Sequence, residues 1–425
     1  MKLTAGRTYW DATNRNPPRY PRLRRNVRCD VAVIGAGITG AFVAHALVKS
    51  GLNVVVVDKR AVARGSTSAS TALLLYETDT SLAELSRRHG REAATRAYTL
   101  GRRAIREIAT IVRHLRLDCG FQPKQCLYLA SDARGLVQLR GEFRRRRRAG
   151  FPVELLYSRE LHRRFGLRFP GAIYAPGSAQ VDALRLAEKL LAHDVRHGRL
   201  RVFTHSQIVA AESGKDGVRL RTPSRRTIDA KHVVIATGYE AAPFLATNLV
   251  KLHSSYVIAS EPLPPKSLWA DRCLIWETAR PYLYLRTTPD GRVLIGGEDE
   301  PFADPARRDA KLPAKMKKLA RRFRRLFPGV AFRTAFGWAG TFGESQDGLP
   351  YIGAMPGSPR VLYALGYGGN GITFSQIAAK LLAQVCHGRA PRDLQLFRFD
   401  RSQSRRGSAR RARRAENGSI RVAAR

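Results

Sequence analysis

The sequence predicts a mixed α/β (α+β) chain, in which an open parallel sheet with covering helices carries an inserted antiparallel sheet. Three observations carry this reading. Residues 29–58 read as strand, glycine turn, helix and strand, and both strands, "CDVAVIG" and "NVVVVD", are continuous β-branched runs of the kind buried on both faces of a parallel sheet. Residues 251–300 differ: "YVIAS", "CLIWET", "PYLYLRTT" and "RVLIGGE" are alternating or aromatic, with the turn "PDGR" between the last two, as antiparallel strands are. The chain then returns to a glycine-rich turn and a last helix, about 372–387, in "YALGYGGNGITFSQIAAKLL" at 363–382.

Taken in order, residues 1–28 are polar, basic and Pro-containing and read as an arm on the surface. Apolar residues recur at helical spacing from Ser81 to about Leu117, followed by a short strand "QCLYLA" and a helix over about 132–149 that ends in Arg144–Arg148, where the helix dipole favours cations. Residues 181–198 form an amphipathic helix stopped by Gly198, and "RVFTHSQIVAAES", "GVRLRT" and "KHVVIATG" are strand candidates. A basic helix spans about 312–326, and the charged, apolar-poor tail 401–425 is expected to be disordered. The expected domains are the arm 1–28, a discontinuous cofactor domain (29–80, 175–245 and 335–400), a substrate domain (81–174 and 246–334) and the tail.

With 425 residues, 44% hydrophobic, the chain can bury a large core in two domains. Lys and Arg number 75 against 34 Asp and Glu, a net charge of +41. The excess is spread along the chain, which favours ordinary solvated faces over a dedicated polyanion site, so a nucleic-acid partner is possible and not favoured. The cysteines, Cys29, Cys119, Cys126, Cys273 and Cys386, are odd in number and form no C-x-x-C pair, which argues against a disulfide scaffold and a metal site. No signal-like segment and no apolar run near the roughly 20 residues of a membrane helix is present, so a soluble, cytoplasmic protein without a membrane span is expected.

Gly35-Ala36-Gly37-Ile38-Thr39-Gly40 follows the first strand and opens a helix, and Asp58 ends the second strand. That is the dinucleotide fingerprint of a Rossmann-type unit: glycines at the tight turn, beside the pyrophosphate and where the helix packs on the sheet, with the acid on a ribose hydroxyl. Lys59 and Arg60 follow it directly. Three features select FAD over NAD. The loop "KRAVARGSTSASTALL" offers the small hydroxyl residues Ser66, Thr67, Ser68, Ser70 and Thr71. A strand ends in Ala236, Thr237 and Gly238, where small residues admit a cofactor. The turn before the last helix, with Gly366, Gly368, Gly369, Asn370, Gly371, Ile372 and Thr373, aims a helix N-terminus at the redox end of a flavin, where negative charge develops on reduction. Ile208, Val209 and Gly340 complete the cofactor-binding set.

Five stretches, "VAVIGAGITG", "GSTSASTALL", "VVIATG", "TFGESQDGLPYIG" and "GYGGNGIT", resemble the D-amino acid oxidase superfamily of FAD-dependent oxidoreductases over roughly residues 5–400. Glycine oxidase, sarcosine oxidase and gamma-glutamylputrescine oxidoreductase are branches of it, and "YWDATNRNPPRYPRLRRNVRCD" and "RPYLYLRTTPDGRVLIGGEDE" look most like the last. The resemblance implies a Rossmann-type FAD-binding domain with an inserted antiparallel-sheet substrate domain. It implies oxidation of the C–N bond of a small amine or amino acid, by hydride transfer to flavin N5 and hydrolysis of the imine, with oxygen or another electron acceptor. No dedicated protein base is implied. The chain departs from the family pattern in three places. Residues 337–343 lack the cysteine that bonds flavin in sarcosine oxidase-like members, so FAD is expected to be non-covalent. Thr373 stands where those members carry a carboxylate-gripping lysine, and Val293, Leu294 and Ile295 fill the strand of their oxygen-activating lysine.

For the substrate face and chemistry the candidates are Tyr256, Trp276, Tyr282, Tyr284, Arg286 and Trp338, aromatics for an amine or alkyl chain and Arg286 for an anionic group. Two rival readings remain at this point: an FAD-dependent tRNA-modifying oxidoreductase, which the charge suits, and a catalytically silent flavin-binding protein.

Overall fold

The structure is a computed structural model, and it describes residues 1–241 and 249–401 and the backbone of 419–421. Two sheets organise it. In the first, Leu200–Phe203, Val54–Val57, Val27–Ile34, Thr227–Ile235 and Val361–Leu365 run parallel in that spatial order. Their registers align Ile34 with Val57 and Ile235, and Ile235 with Tyr363. Parallel strands deliver their carboxyl ends to one edge. Gly35, Asp58, Ala236 and Gly366 therefore emerge side by side although they are spread across the chain. The outer side of Thr227–Ile235 is shared, its first half pairing antiparallel with Val218–Arg221.

The glycine turn behaves as its sequence requires. Gly35 has φ 112°, and a Cβ there would lie 2.4 Å from the Ala236 carbonyl oxygen. A Cβ on Gly40 would lie 1.8 Å from the Gly35 carbonyl oxygen, so the helix Ile38–Lys49 sits directly on the turn.

The second sheet has ten strands and centres on the run Thr334–Ser345, Val250–Ser260, Val293–Glu300, Leu283–Thr287 and Leu274–Glu277. It is antiparallel except where Leu274–Glu277 meets Gln122–Leu129. Its membership differs from the expected domain boundaries. Thr334–Ser345, assigned by sequence to the cofactor domain, pairs along its length with Val250–Ser260. Gly171–Gln180 pairs with Gln122–Leu129, and the expected boundary at 174/175 cuts through it. A strand's own pattern states that it is a strand, not which neighbour it joins. The first half of the N-terminal segment is no surface arm, since Thr4–Arg7 is an edge strand on Thr334–Ser345 and Trp10 is 2% exposed, whereas residues 15–26 are mostly exposed. Burying that indole draws the segment inward.

Smaller differences have local causes. The expected helix 81–117 is two, Leu82–His89 and Arg91–His114, parted at Gly90 with φ 90°. The strand candidate at 201–213 splits into Leu200–Phe203 and Ala210–Ser213. The basic helix begins earlier, at Pro305 behind its cap Asp304. Of the tail expected to be disordered, 402–418 and 422–425 lie outside the described residues, while Ser419–Arg421 pairs with Ala210–Ser213. Among the described residues no helix is long and apolar enough to cross a membrane.

The arginine run is not uniformly solvated. Arg146 is 0% exposed, and its guanidinium donates to Glu142 at 2.7 Å and Glu77 at 3.1 Å. Glu142 in turn accepts from the backbone N–H groups of Leu82 and Ala83, which caps the helix there. Arg146→Ala strands two buried carboxylates and should cost about 3–5 kcal/mol in chemical denaturation, whereas the exposed Arg147→Ala should cost under about 0.5 kcal/mol. Equal costs at the two positions would contradict this assignment.

Candidate functional site

A cavity of about 520 Å³ opens between the carboxyl edge of the first sheet and one face of the second. Gly35, Gly37, Ile38, Thr39, Asp58, Lys59, Arg60, Ile208, Ala236, Thr237 and Gly238 line it from the first sheet, with Gly366, Gly368, Gly369, Asn370, Gly371 and Ile372 from the last turn. Ser66, Thr67, Ser70 and Thr71 line it from the strap between the sheets, and Gly340, Trp276, Tyr282 and Tyr284 from the second sheet. The two glycine turns, far apart in sequence, face one space.

One end is charged. The Asp58 carboxylate accepts from the N–H groups of Ala36 and Arg60, both at 2.7 Å. Burial pushes its pKa up, and those two donors oppose the shift. Beside it, Glu240 gathers the N-terminal ammonium, Lys59 and Arg60. Burial opposes its ionisation, yet these bonds hold its carboxyl at about 2. In the middle, Thr67 Oγ1 accepts from the Ile38 N–H at 3.0 Å and ties the strap to the start of the helix. First-turn N–H groups of that helix have no intrahelical partner, which suits a phosphate. The buried hydroxyl of Thr237 has no hydrogen-bond partner. This donor set fits an extended anionic ligand such as a dinucleotide.

The other end is aromatic and acidic. Trp276 stacks on Tyr128 at 3.8 Å between ring centroids. The Tyr284 hydroxyl lies 3.1 Å from Ser255 Oγ. The Tyr282 hydroxyl donates to Asp79 at 3.1 Å, and the other Asp79 oxygen accepts from the Gly369 N–H at 2.7 Å. Burial, with nearby acids, pushes both tyrosine hydroxyls well above their ordinary range, so they stay neutral. Sequence reasoning missed Asp79, Asp299, Ser255 and Tyr239, which also line the space. Asp79 sits in "ETDTS", where an acid before a helix reads as a cap, and Asp299 sits in "GEDE", which reads as a solvated strand end.

Three of the substrate-face candidates lie away from the cavity. Tyr256 is fully buried in the core of the second sheet, packed with Ile258 and Ile295. Trp338 is 0% exposed and donates from Nε1 to the Ala69 carbonyl at 2.9 Å. Arg286 is buried, its Nη1 donating to the carbonyls of Thr71, Ala72 and Val181 at 2.8–3.0 Å. Burial pulls its pKa down to about 10. Both therefore act on the strap rather than on a substrate. Among the cofactor candidates, Ala36, Gly40, Ser68, Val209 and Thr373 do not line the cavity. Ala36 contributes its N–H to Asp58, Gly40 its close packing, Ser68 a bond to the Gly65 carbonyl, Val209 a backbone bond to Arg221 and Thr373 a bond to the Leu75 carbonyl.

Arg286→Met should leave three strap and strand carbonyls without their donor, lower thermal stability and weaken cofactor retention roughly 10-fold. An anion-holding role would instead raise KM with retention unchanged, and steady-state kinetics with cofactor content separates the two.

Comparison with known proteins agrees with the geometry. The family model described as "DAO: FAD dependent oxidoreductase" matches residues 30–385. Gamma-glutamylputrescine oxidoreductase of Escherichia coli (strain K12) is 26% identical over 405 residues, 91% of this chain and 90% of that protein. Glycine oxidase of Bacillus licheniformis is 26% identical over 386 residues, 89% of this chain and 98% of that protein. The crystal structure of glycine oxidase from Geobacillus kaustophilus shares the fold, with a TM-score of 0.74 at 23% identity over 88% of this chain and 99% of that one. With a fingerprint turn, an acid, a hydroxyl strap and a second glycine turn converging on one cavity, the chain belongs to this family of FAD-dependent oxidoreductases.

Proposed function

We propose that the chain oxidises the C–N bond of a small amine or amino acid. The observation that carries this is the continuity of one cavity, from the Asp58 end through the strap to Trp276, Tyr282 and Tyr284. Asp58, Lys59, Arg60 and Ile208 would hold the nucleotide half of FAD. The turn at Gly35–Gly40 with Ser66 and Thr67 would take the pyrophosphate. Thr237, Gly340 and Gly366–Ile372 would border the ring. FAD, when bound, would supply the acceptor for the hydride on the carbon beside the substrate nitrogen, and hydrolysis of the imine product would give a carbonyl compound and the free amine.

The chain's residues supply position and a walled site. Trp276, Tyr282 and Tyr284 form a wall of neutral rings, which suits an alkylamine and takes up no proton near neutral pH. The hydroxyls of Tyr282 and Tyr284 are fixed by Asp79 and Ser255, so the wall is preorganised. No cysteine lines the cavity among the described residues, which supports non-covalent FAD. The five thiols without a disulfide support a reducing, cytoplasmic location. Oxygen or another acceptor would reoxidise the flavin.

The test is anaerobic addition of amines, N-alkyl amino acids and amino acids to the purified holoprotein. Bleaching of the flavin bands by at least one of them is expected. Flavin that stays oxidised with every compound would sink the reading.

A further inference from the structure

We propose that the preferred substrate is an amine with a second positive charge remote from the reacting nitrogen, held by carboxylate at Asp299. This rests on the C–N oxidation reading and names its substrate class.

The observation is a charge reversal inside a strongly basic chain. Among the described residues the cations that line the cavity, Lys59, Arg60, Arg64 and the N-terminus, come from the nucleotide end, where Asp58 and Glu240 accompany them. Towards the second sheet the charged lining residues, among those described, are Asp79 and Asp299. The strand Val293–Glu300 shows the contrast within three positions. Glu298 pairs with Lys318 at 2.6 Å and Arg322 at 3.1 Å, and Glu300 pairs with Lys311 at 2.5 Å and Lys315 at 2.8 Å. These cations belong to the helix Pro305–Leu326, on the far side of the strand from the cavity. Asp299, between them, lines the cavity, and its Oδ1 is fully buried with no hydrogen-bond partner. A partly buried carboxylate that keeps one oxygen unpaired, with only the Ser255 hydroxyl against it, is costly and is relieved by a proton or by a cation. The neighbouring rings of Trp276, Tyr282 and Tyr284 suit the cation.

Among the described residues the same wall brings no cation to a substrate carboxylate. Arg286 points into the strap. Arg280 stacks over Tyr282 at 4.9 Å, is bonded to the carbonyls of Ala279 and Asp79 and does not line the cavity.

The pKa directions agree. Burial and then Asp79 and Glu298 push Asp299 up to about 6, with Ser255 and Lys315 opposing. Glu344, against the same end, is pushed up to about 7 by burial, Asp79 and Asp299, with Arg280 opposing and His253 at 3.9 Å. Binding of a cation should therefore tighten as pH rises through this window. Without a cation, carboxyl groups raised in this way favour the folded state at low pH and lose that contribution as pH rises through about 6–7.

The probe is 1,4-bis(trimethylammonio)butane, whose quaternary nitrogens have no lone pair and resist oxidation. It is titrated into holoprotein and followed by the flavin spectrum, against tetramethylammonium and benzoate. The dication should bind about 10-fold or more tightly than either, and more tightly at pH 7.5 than at pH 5.5. Asp299→Asn, checked by unchanged flavin content, should lose about 10–100-fold of that affinity and the part of its pH dependence that Glu344 does not supply, and Asp299→Glu should recover part of both. Benzoate binding in preference to the dication would overturn the proposal, as would an Asp299→Asn variant that binds the dication like the parent. Bleaching by an α-amino acid and not by 1,4-diaminobutane or spermidine would also overturn it while leaving C–N oxidation standing. If no amine bleaches the flavin, the C–N reading fails and the substrate claim falls with it, and the dication titration then decides only whether Asp299 holds a cation.

Discussion

The carbonyl oxygens of residues 69–72 are held by three side chains from remote parts of the sequence. Trp338 donates to Ala69, Trp10 to Ser70, and Arg286 to Thr71 and Ala72. The Arg286 guanidinium also stacks over the Trp10 ring at 5.3 Å. This strap runs from the nucleotide unit into the second sheet and carries the hydroxyls that face the cavity. A loop of small residues has little packing of its own to fix its path. Here buried donors fix it, and each would be expensive to leave unpaired. The N-terminal helical turn Tyr9–Thr13, the last strand of the second sheet and the strand of Arg286 thus converge to shape one wall of the cofactor site.

The other walls follow from topology. Parallel strands bring the fingerprint turn, Asp58, the Ala236–Gly238 end and the last glycine turn to a common edge. The antiparallel sheet then closes the space with rings and acids. The two ends of the cavity carry opposite chemistry because they are built from different sheets. The basic composition of the chain is used largely on the outside, where Pro305–Leu326 neutralises the outward carboxylates of Val293–Glu300 and leaves Asp299 facing inward.

Much of the nucleotide unit was legible in the sequence, since a tight turn, a helix start and a strand-end acid each need particular residue types at fixed spacing. Gly35, Gly40 and Asp58 are of that kind. The substrate wall was legible only in part. Trp276, Tyr282 and Tyr284 were recognised as aromatic strand residues, yet Tyr256 and Trp338 carry the same signature and point into cores. Arg286 looked like an anion grip because a strand arginine is usually exposed, and its three backbone acceptors are remote in sequence. Asp79 and Asp299 look like surface acids until the tertiary fold turns them towards the cavity. Sheet membership of Thr334–Ser345 was hidden for the same reason: long-range pairing leaves no local mark.

The central claim is that both glycine turns hold one molecule of FAD along a single cavity. The most direct measurement is a titration of flavin-stripped protein with FAD and, separately, FMN, followed by flavin fluorescence. The account predicts one FAD per chain, bound on the order of 100-fold more tightly than FMN, because the Asp58 end would hold the AMP half that FMN lacks and the helix N-terminus at Gly35–Gly40 would meet two phosphates in FAD and one in FMN. Equal affinities for FAD and FMN, or no binding of either, would contradict it.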